Sequence, residues 1–367
     1  MKELIITGIR GVPAAHGGFE TFAENLALYL VAKGWKVSVY CQEEEGDFYI
    51  DSWKGIERIH IPVKNKGALG TIIFDYKSVI HSLKTKGLIL TLGYNTALFN
   101  LFYVISKRKN VINMDGIEWK RDKWGAIAKT WFWMNERFGC WFGDHLIADH
   151  PKIKEHLATR VSKDKITMIP YGAYSITRDN ADKSVLEKYN LIEKKYFLVI
   201  ARAEPENSIL EIVKGFCLNS KRTEKLVILG NYDFQQNDYH KRVKEAANEN
   251  VLFLGAIYDS LAVSSLRYFA LAYVHGHTVG GTNPSLVESI GCGNAIIAHD
   301  NKFNRWVIAE SGVFFKSDEE CATRMDFISS NENIRIDLEN KAKVIFDERF
   351  TWDLILSQYE TLLGDWL

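Results

Sequence analysis

"YFLVIARAEPEN", residues 196–207, opens a second series of β-strands after a polar gap, and that restart decides the fold. YFLVI reads as a buried strand, and the turn behind it runs into the helical period of "SILEI". Downstream, "KLVILG", "NVLFLG", "LAYVHG", "NAIIAHD" and "GVFF" repeat the arrangement. Upstream, "ELIIT", "KVSVY", "RIHIPV", "LILTL", "VINM", "HLIAD" and "ITMIPYG" do the same. Strand-like runs alternating with helical segments are the pattern of α/β units around parallel sheets. The polar stretch "SITRDNADKSVLEKYNLIEKK" separates the two series and places a boundary near residues 175 to 190. The expected class is α/β, two Rossmann-like domains in tandem: residues 1–175, residues 176–348, and a closing helix over 349–367. In that helix Trp352, Ile355, Leu356, Tyr359 and Leu363 share one side. Near the start, Phe19, Phe22, Leu26 and Leu30 share a face of a helix over 19–33, with Gly34 as its C-terminal cap.

Bulk properties narrow the classes. The chain has 367 residues, 47% of them apolar and 25% charged, enough to bury two full cores. Basic and acidic residues cancel at 46 each, so the basic excess of a nucleic-acid binder is absent and no nucleic-acid partner is expected. Cys41, Cys140, Cys217, Cys292 and Cys321 are odd in number and scattered, never paired as CxxC. That fits reduced thiols in a cytoplasmic protein better than a disulfide framework or a zinc site. The apolar run in "MKELIITGIRG" is too short for a signal-peptide core. "TALFNLFYVIS" falls short of the roughly 18 residues a membrane span needs. The expected location is the cytoplasm, at most with contact to a membrane surface.

Three motifs carry chemistry. In "TGIRGVPAAHGGFETF" a strand turns into a helix through Gly8, Gly11, Gly17 and Gly18, a design that lets backbone N–H groups approach an anion or a sugar. The same glycines are also consistent with a tight turn alone. The spacing is not GxGxxG and strand two ends in "VYCQ" rather than an acidic residue, which argues against a nicotinamide dinucleotide and an oxidoreductase. In "VIARAEPENSILEI" a strand delivers Arg202 to a turn, where a guanidinium suits bidentate phosphate binding; the alternative is an ion pair with Glu204 or Glu206. In "HTVGGTNPSLVESIGCG" Asn283 is a helix N-cap and Pro284 its first residue, leaving N–H groups at Ser285 and Leu286 free for an anion. Gly280 and Gly281 leave room above that helix, and Glu288 sits one turn in, placed to accept hydrogen bonds from ribose hydroxyls. Phosphate on the helix end and ribose on the carboxylate form a nucleotide site that needs no metal when Arg202 supplies the countercharge. No DxD pair or HExxH cluster occurs.

"GIRGVPAAHGGFETFAENLALYL", "NMDGIEWKRDKWG", "IPYGA", "ARAEPENS" and "VGGTNPSLVESIGCG" together resemble the GT-B glycosyltransferases of the large retaining family four. The similarity is greatest to the bacterial rhamnosyltransferase branch that builds surface polysaccharides, and it runs over nearly the whole chain. The resemblance implies two Rossmann-like domains facing a central cleft, with the final helix crossing back to the first. It implies transfer of a sugar from a nucleoside diphosphate sugar, dTDP-rhamnose in this branch, held by the C-terminal domain. The acceptor, a polyprenyl-linked glycan of an O-antigen or capsule, belongs to the N-terminal domain at the inner face of the plasma membrane. No cofactor or metal is implied beyond the co-substrate. The implied donor site comprises Gly17, Gly18, Arg202, Asn207, Gly280, Gly281, Thr282, Asn283, Ser285, Leu286 and Glu288.

The chain departs from the wider family at two of these positions. A pair of glutamates eight residues apart becomes Gly280 and Glu288, and a phosphate-binding lysine five residues after Arg202 becomes Asn207. A 6-deoxy sugar of the L series presents its hydroxyls differently, which makes loss of the first glutamate understandable. The departures keep open two other readings, a UDP-hexose donor and a catalytically silent GT-B partner in a polysaccharide-assembly complex. In "NMDGIEW" the position where the family often has a histidine is Asp115, followed by Glu118. Asp115 is placed by the resemblance to take or orient the acceptor proton, or else caps the loop after its strand. Finally, Trp124, Ile127, Trp131, Met134, Phe138 and Trp141 recur at helical spacing behind Lys120, Arg121, Lys123 and Lys129. That segment reads as a core helix with a cationic start or as an interfacial helix on anionic lipid, and exposure of Trp119 and Trp133 distinguishes the two.

Overall fold

A computed structural model describes residues 1–15 and 17–367. The chain divides into two compact units, Met1–Tyr171 with Trp352–Leu367, and Gly172–Thr351.

The first unit is built on eight strands: β1 (Glu3–Thr7), β2 (Lys36–Glu43), β3 (Tyr49–Trp53), β4 (Ile56–Pro62), β5 (Leu88–Leu92), β6 (Asn110–Asn113), β7 (His145–Ala148) and β8 (Ile166–Met168). Their order across the sheet is β3-β4-β2-β1-β5-β6-β7-β8. Every neighbouring pair is parallel except β3 with β4. β3 has no counterpart in the sequence reading, because "YIDSW" is short and largely exposed, as suits an edge strand. The buried strands β1 and β5 read as apolar runs because helices cover both faces of a parallel sheet.

The helix Gly18–Ala32 sets Phe22, Leu26 and Leu30 into the core, and the helix Trp352–Asp365 adds Trp352, Ile355, Leu356, Tyr359 and Leu363 to the same cluster. Each such side chain contributes about 1.5–3 kcal/mol on full burial. The Phe22 and Tyr359 rings meet at 4.6 Å. The last helix of the chain is therefore a working part of the first unit's core.

The second unit has six parallel strands, β9 (Tyr196–Ile200), β10 (Lys225–Leu229), β11 (Val251–Gly255), β12 (Ala272–His275), β13 (Ile296–His299) and β14 (Gly312–Phe315). They are ordered β11-β10-β9-β12-β13-β14. After β9 the chain moves outward to β10 and β11, then returns to lay β12 on the opposite side of β9. The β9/β12 gap is thus the topological switch point, where loops diverge and open sheets bind ligands. Arg202 follows β9 and the stretch from Gly276 onward follows β12, so both loops open at that point. No helix among the described residues is long and apolar enough to cross a membrane.

Candidate nucleotide-sugar site

A cavity of about 200 Å³ lies at this switch point, lined by residues of the β9 and β12 ends and by the start of the helix Pro284–Gly291. It brings together Arg202, Asn207, Asn283 and Ser285 among the expected site residues, and adds His275 and His277. Gly280, Gly281, Thr282, Leu286 and Glu288 lie outside its lining. Arg202 is exposed, and no ion pair with Glu204, Glu206 or any other described residue engages it. A guanidinium at a cavity mouth without a protein carboxylate is available for a ligand anion.

Glu288 is held from beneath. Its Oε2 lies 2.5 Å from Nη2 of Arg267, a residue 5% exposed on the helix Ser260–Phe269. Burial opposes the charge of Arg267, and the Glu288 carboxylate together with Cys292 and Tyr273 outweighs it, so the guanidinium sits above its ordinary pKa. Arg267 also donates to Ser285 Oγ at 3.0 Å, and that hydroxyl is 2.8 Å from the Tyr273 hydroxyl. Tyr273 donates in turn to the Ile200 carbonyl at the end of β9. One buried network thus joins the helix, β12 and β9. About a third of the Glu288 side chain remains exposed, so the carboxylate keeps an outward face for hydroxyl donors.

The helix start needs one correction. Asn283 is its N-cap and Pro284 its first residue, but the N–H groups of Ser285 and Leu286 are not free. Ser285 donates to Asn283 Oδ1 at 3.0 Å and Leu286 to the Asn283 carbonyl at 3.1 Å. A side-chain cap satisfies the same orphan donors that an anion would use, so the cap and the anion compete for them.

The turn before the helix is equally constrained. Gly280 has φ +124°, a conformation L side chains rarely adopt, and a Cβ there would stand 3.0 Å from His277 Nε2. Thr282 is buried. Asn207 is buried as well, donating its amide to the Arg202 carbonyl at 2.9 Å and meeting His277 Nδ1 with its oxygen at 2.6 Å. Asn207 therefore orders the cavity wall rather than supplying a charge.

In the first unit, Gly17 is the residue before the helix Gly18–Ala32, and the loop ahead of it is tied down by that helix. The Ala14 N–H donates to Glu24 at 2.7 Å and the Arg10 N–H approaches Glu20 at 3.4 Å. Gly8 (φ +85°) is required because a Cβ would lie 2.3 Å from the Leu92 carbonyl oxygen. Asp115 follows β6 in the left-handed region, φ 53°, with its N–H on Asn113 Oδ1 at 3.1 Å. Asn113 donates to the Tyr359 hydroxyl at 2.8 Å, so the closing helix sets the turn that carries Asp115. Glu118 has both oxygens occupied, by Arg121 Nη1 at 2.7 Å and Trp124 Nε1 at 3.2 Å, and its N–H donates to the Tyr94 hydroxyl at 2.8 Å.

The helix Ala126–Phe142 is not the core helix that its aromatic spacing suggests. Its buried residues are Asn135, Glu136, Gly139 and Cys140, while Ile127, Trp133 and Trp141 are exposed. Glu136 explains the inversion: its carboxylate accepts from Trp119 Nε1 at 2.7 Å and meets His156 at 3.0 Å and Arg160 at 2.9 Å. Asn135 likewise accepts from the Leu98 N–H at 2.9 Å. Polar partners on the inside turn the aromatic face outward, with Arg137 stacked 3.4 Å over the Trp133 ring. Trp119 is only half-buried, its indole nitrogen tied to Glu136.

Comparison with known proteins accords with this geometry. Residues 183–344, which carry the cavity, match the family described as glycosyl transferases group 1. Residues 1–174 match a domain of unknown function, DUF1972. An uncharacterized glycosyltransferase of Methanocaldococcus jannaschii is 23% identical over 229 residues, 60% of this chain. The aligned part spans 58% of that relative's length. The two-domain α/β fold is that of solved GT-B structures. Sucrose-phosphate synthase from Thermosynechococcus elongatus aligns with a TM-score of 0.79 at 17% identity, covering 100% of this chain and 99% of its own. Anabaena HepE, solved in complex with UDP-glucose, aligns with a TM-score of 0.76 at 15% identity, covering 100% of both chains.

Arg267, Tyr273 and the two cavity histidines escape a sequence reading. Arg267 sits among apolar residues in "SSLRYFALAYVHG", where nothing separates a buried arginine from a surface one. The His-x-His step at 275 and 277, at the end of a strand beside the glycines, is the one usable signal.

Proposed function

We propose that the protein transfers L-rhamnose, with retention, from dTDP-L-rhamnose to a growing polyprenyl-linked surface glycan. The observation that carries the reading is the exposed, unpaired Arg202 on the same switch-point cavity as a capped helix, whose Glu288 pairs with a buried arginine. In this reading Arg202 neutralises the diphosphate as it leaves, and the outward face of Glu288 accepts a hydroxyl of the deoxyribose. Gly280 removes the carboxylate that would favour D-hexoses, a discrimination of order 1–3 kcal/mol.

The acceptor oxygen bonds the anomeric carbon as the bond to the β-phosphate breaks, and the acceptor proton passes to the departing phosphate oxygen. Asp115 orients that acceptor hydroxyl, while Glu118 holds the segment around it through Arg121 and Trp124. Rate then comes mainly from positioning and charge neutralisation. The outward aromatic face at Ile127, Trp133 and Trp141, beside Arg137, supports peripheral attachment to an anionic cytoplasmic leaflet, where a lipid-linked acceptor resides.

Competition among dTDP-L-rhamnose, UDP-glucose and UDP-N-acetylglucosamine for turnover tests the proposal. Preferred turnover of dTDP-L-rhamnose is expected. Preference for a UDP-hexose overturns the rhamnosyl assignment and leaves a glycosyltransferase. Binding of all three without transfer or hydrolysis identifies a silent partner.

A further inference from the structure

His275 ends β12 on the wall of the switch-point cavity and is only 4% exposed. Its Nε2 is buried and has no hydrogen-bond partner among the described residues. Buried polar atoms are nearly always paired, because an unpaired one has lost its hydrogen bonds to water without replacement. Asn110 and Asn294 also hold such atoms, but among the described side chains that do, His275 alone lines this cavity. Burial pushes its imidazole well below the ordinary pKa, and His277 and His299 act in the same direction, so the ring is neutral at pH 7.

The strand sets the position. Tyr273 pairs with Leu198 of β9, so His275, two residues on, shares its face of β12 at the level of Ile200. The two rings lie 5.9 Å apart, and the Tyr273 hydroxyl is 2.8 Å from Ser285 Oγ at the helix start. Arg202 is two residues beyond Ile200. The backbone around the imidazole is fixed: His275 pairs with Ala298 of β13, and the Gly276 carbonyl accepts from Ser208 Oγ at 2.9 Å. A group mounted this way loses little entropy on binding. Several donors of the lining are already spent. The Asn207 amide is on the Arg202 carbonyl, and the Ser285 N–H is on Asn283 Oδ1. The exposed Arg202 guanidinium and the His275 Nε2 are not.

We infer that His275 is a phosphate-binding residue of the donor site, its Nε2–H donating to an oxygen of the nucleoside diphosphate that Arg202 neutralises. The inference rests on the nucleotide-sugar reading above and names a second donor to the diphosphate. A phosphate oxygen only accepts, so it selects the ring tautomer that carries the proton on Nε2. An uncharged donor suits the cavity wall, because a buried cation there would bear a heavy desolvation penalty while no ligand is bound. In the free protein the unpaired nitrogen lowers stability, and the ligand relieves it.

Calorimetric titration of dTDP, UDP and dTDP-L-rhamnose into the native protein, His275→Leu and His275→Gln, with melting curves of the free proteins, tests it. His275→Leu keeps much of the ring's volume without its nitrogens. It should bind dTDP about ten- to a hundredfold more weakly, the value of one hydrogen bond to a charged group. The loss should be the same for dTDP-L-rhamnose, since both ligands carry the diphosphate. The free variant should melt at or above the native temperature, because an unpaired buried nitrogen is gone. His275→Gln restores an N–H donor and should recover part of the affinity. Native affinity in His275→Leu overturns the inference. So does a lowered melting temperature in that variant, which would mark the imidazole as structural, or an absence of any recovery in His275→Gln. A loss confined to dTDP-L-rhamnose moves the contact to the sugar and overturns the phosphate assignment. If UDP binds better than dTDP and His275→Leu weakens it alike, the inference stands and the dTDP assignment falls. If neither dTDP nor UDP binds the native protein, the nucleotide-sugar reading itself fails, and this inference with it.

Discussion

Arg267 and Glu288 form a 2.5 Å ion pair in which the cation is buried and the carboxylate faces outward. In the proposed reading an isolated Glu288 would repel a diphosphate, whereas a buried counter-ion offsets its charge from below and leaves its outward face to accept from a hydroxyl. The same pair ties the cavity wall to the fold, since Arg267 also donates to Ser285 Oγ.

Glu288→Ala leaves Arg267 charged and unpaired in the interior, which should lower stability by about 3–5 kcal/mol. Glu288→Gln retains an acceptor for the guanidinium and should cost distinctly less. Denaturant titration of both variants decides it. Equal midpoints would mean that the pair does not bear on the fold.

The strand series on both sides of the 175–190 gap was legible because fully buried parallel strands read as apolar runs, and the closing helix because its apolar residues keep one face. β3 was not, since an exposed edge strand carries little hydrophobic signal. In the site, Arg202 and the Asn283–Pro284 helix start were legible from local chemistry. The pairing of Arg267 with Glu288 and of Asn207 with His277 was not, because each joins residues far apart in sequence through tertiary packing. The Ala126–Phe142 helix misleads for a related reason: periodicity locates an aromatic face but cannot say which side buried polar partners will claim.

Arg202→Ala should weaken binding of a nucleoside diphosphate by about one to two decades, the loss of a charge-assisted hydrogen bond worth roughly 1.5–3 kcal/mol. Because Arg202 is exposed and outside any ion pair among the described residues, stability should stay the same. Calorimetric titration with a parallel melting curve tests both halves. Native affinity in the variant would remove Arg202 from the site.

Asp75, buried on the helix Gly67–Ser82, should make the first unit less stable as pH rises. Burial pushes its carboxyl up to about 7, against a partial offset from the Thr96 hydroxyl that donates to it at 2.7 Å. The sign follows from linkage. The folded state holds this proton more tightly than the unfolded chain, so its stabilising share is complete below about pH 4 and is lost as pH rises to about 7. At about 1.4 kcal/mol per pH unit, the loss approaches about 4 kcal/mol. Asp75→Asn should therefore raise the melting temperature at pH 8 relative to the native protein, and much less at pH 5. A pH-independent difference would show that Asp75 titrates normally.

Trp133 and Trp141 give the last test, because their exposure has a consequence that a core helix would not have. Apolar side chains presented beside Arg137, in a segment that opens with Lys120, Lys123 and Lys129, suit a bilayer interface with anionic headgroups, where rings enter the acyl boundary and cations stay at headgroup level. The protein should sediment with vesicles containing phosphatidylglycerol and much less with purely zwitterionic ones, and added salt should weaken the association. Replacing Trp133 and Trp141 together by serine removes the apolar share and should lower the partition coefficient by roughly tenfold. The cationic share would remain and keep the salt dependence. Both rings are largely exposed, so the double variant should keep its melting temperature, which separates lost binding from lost fold. Native partitioning of that variant would show that the aromatic face serves something other than lipid.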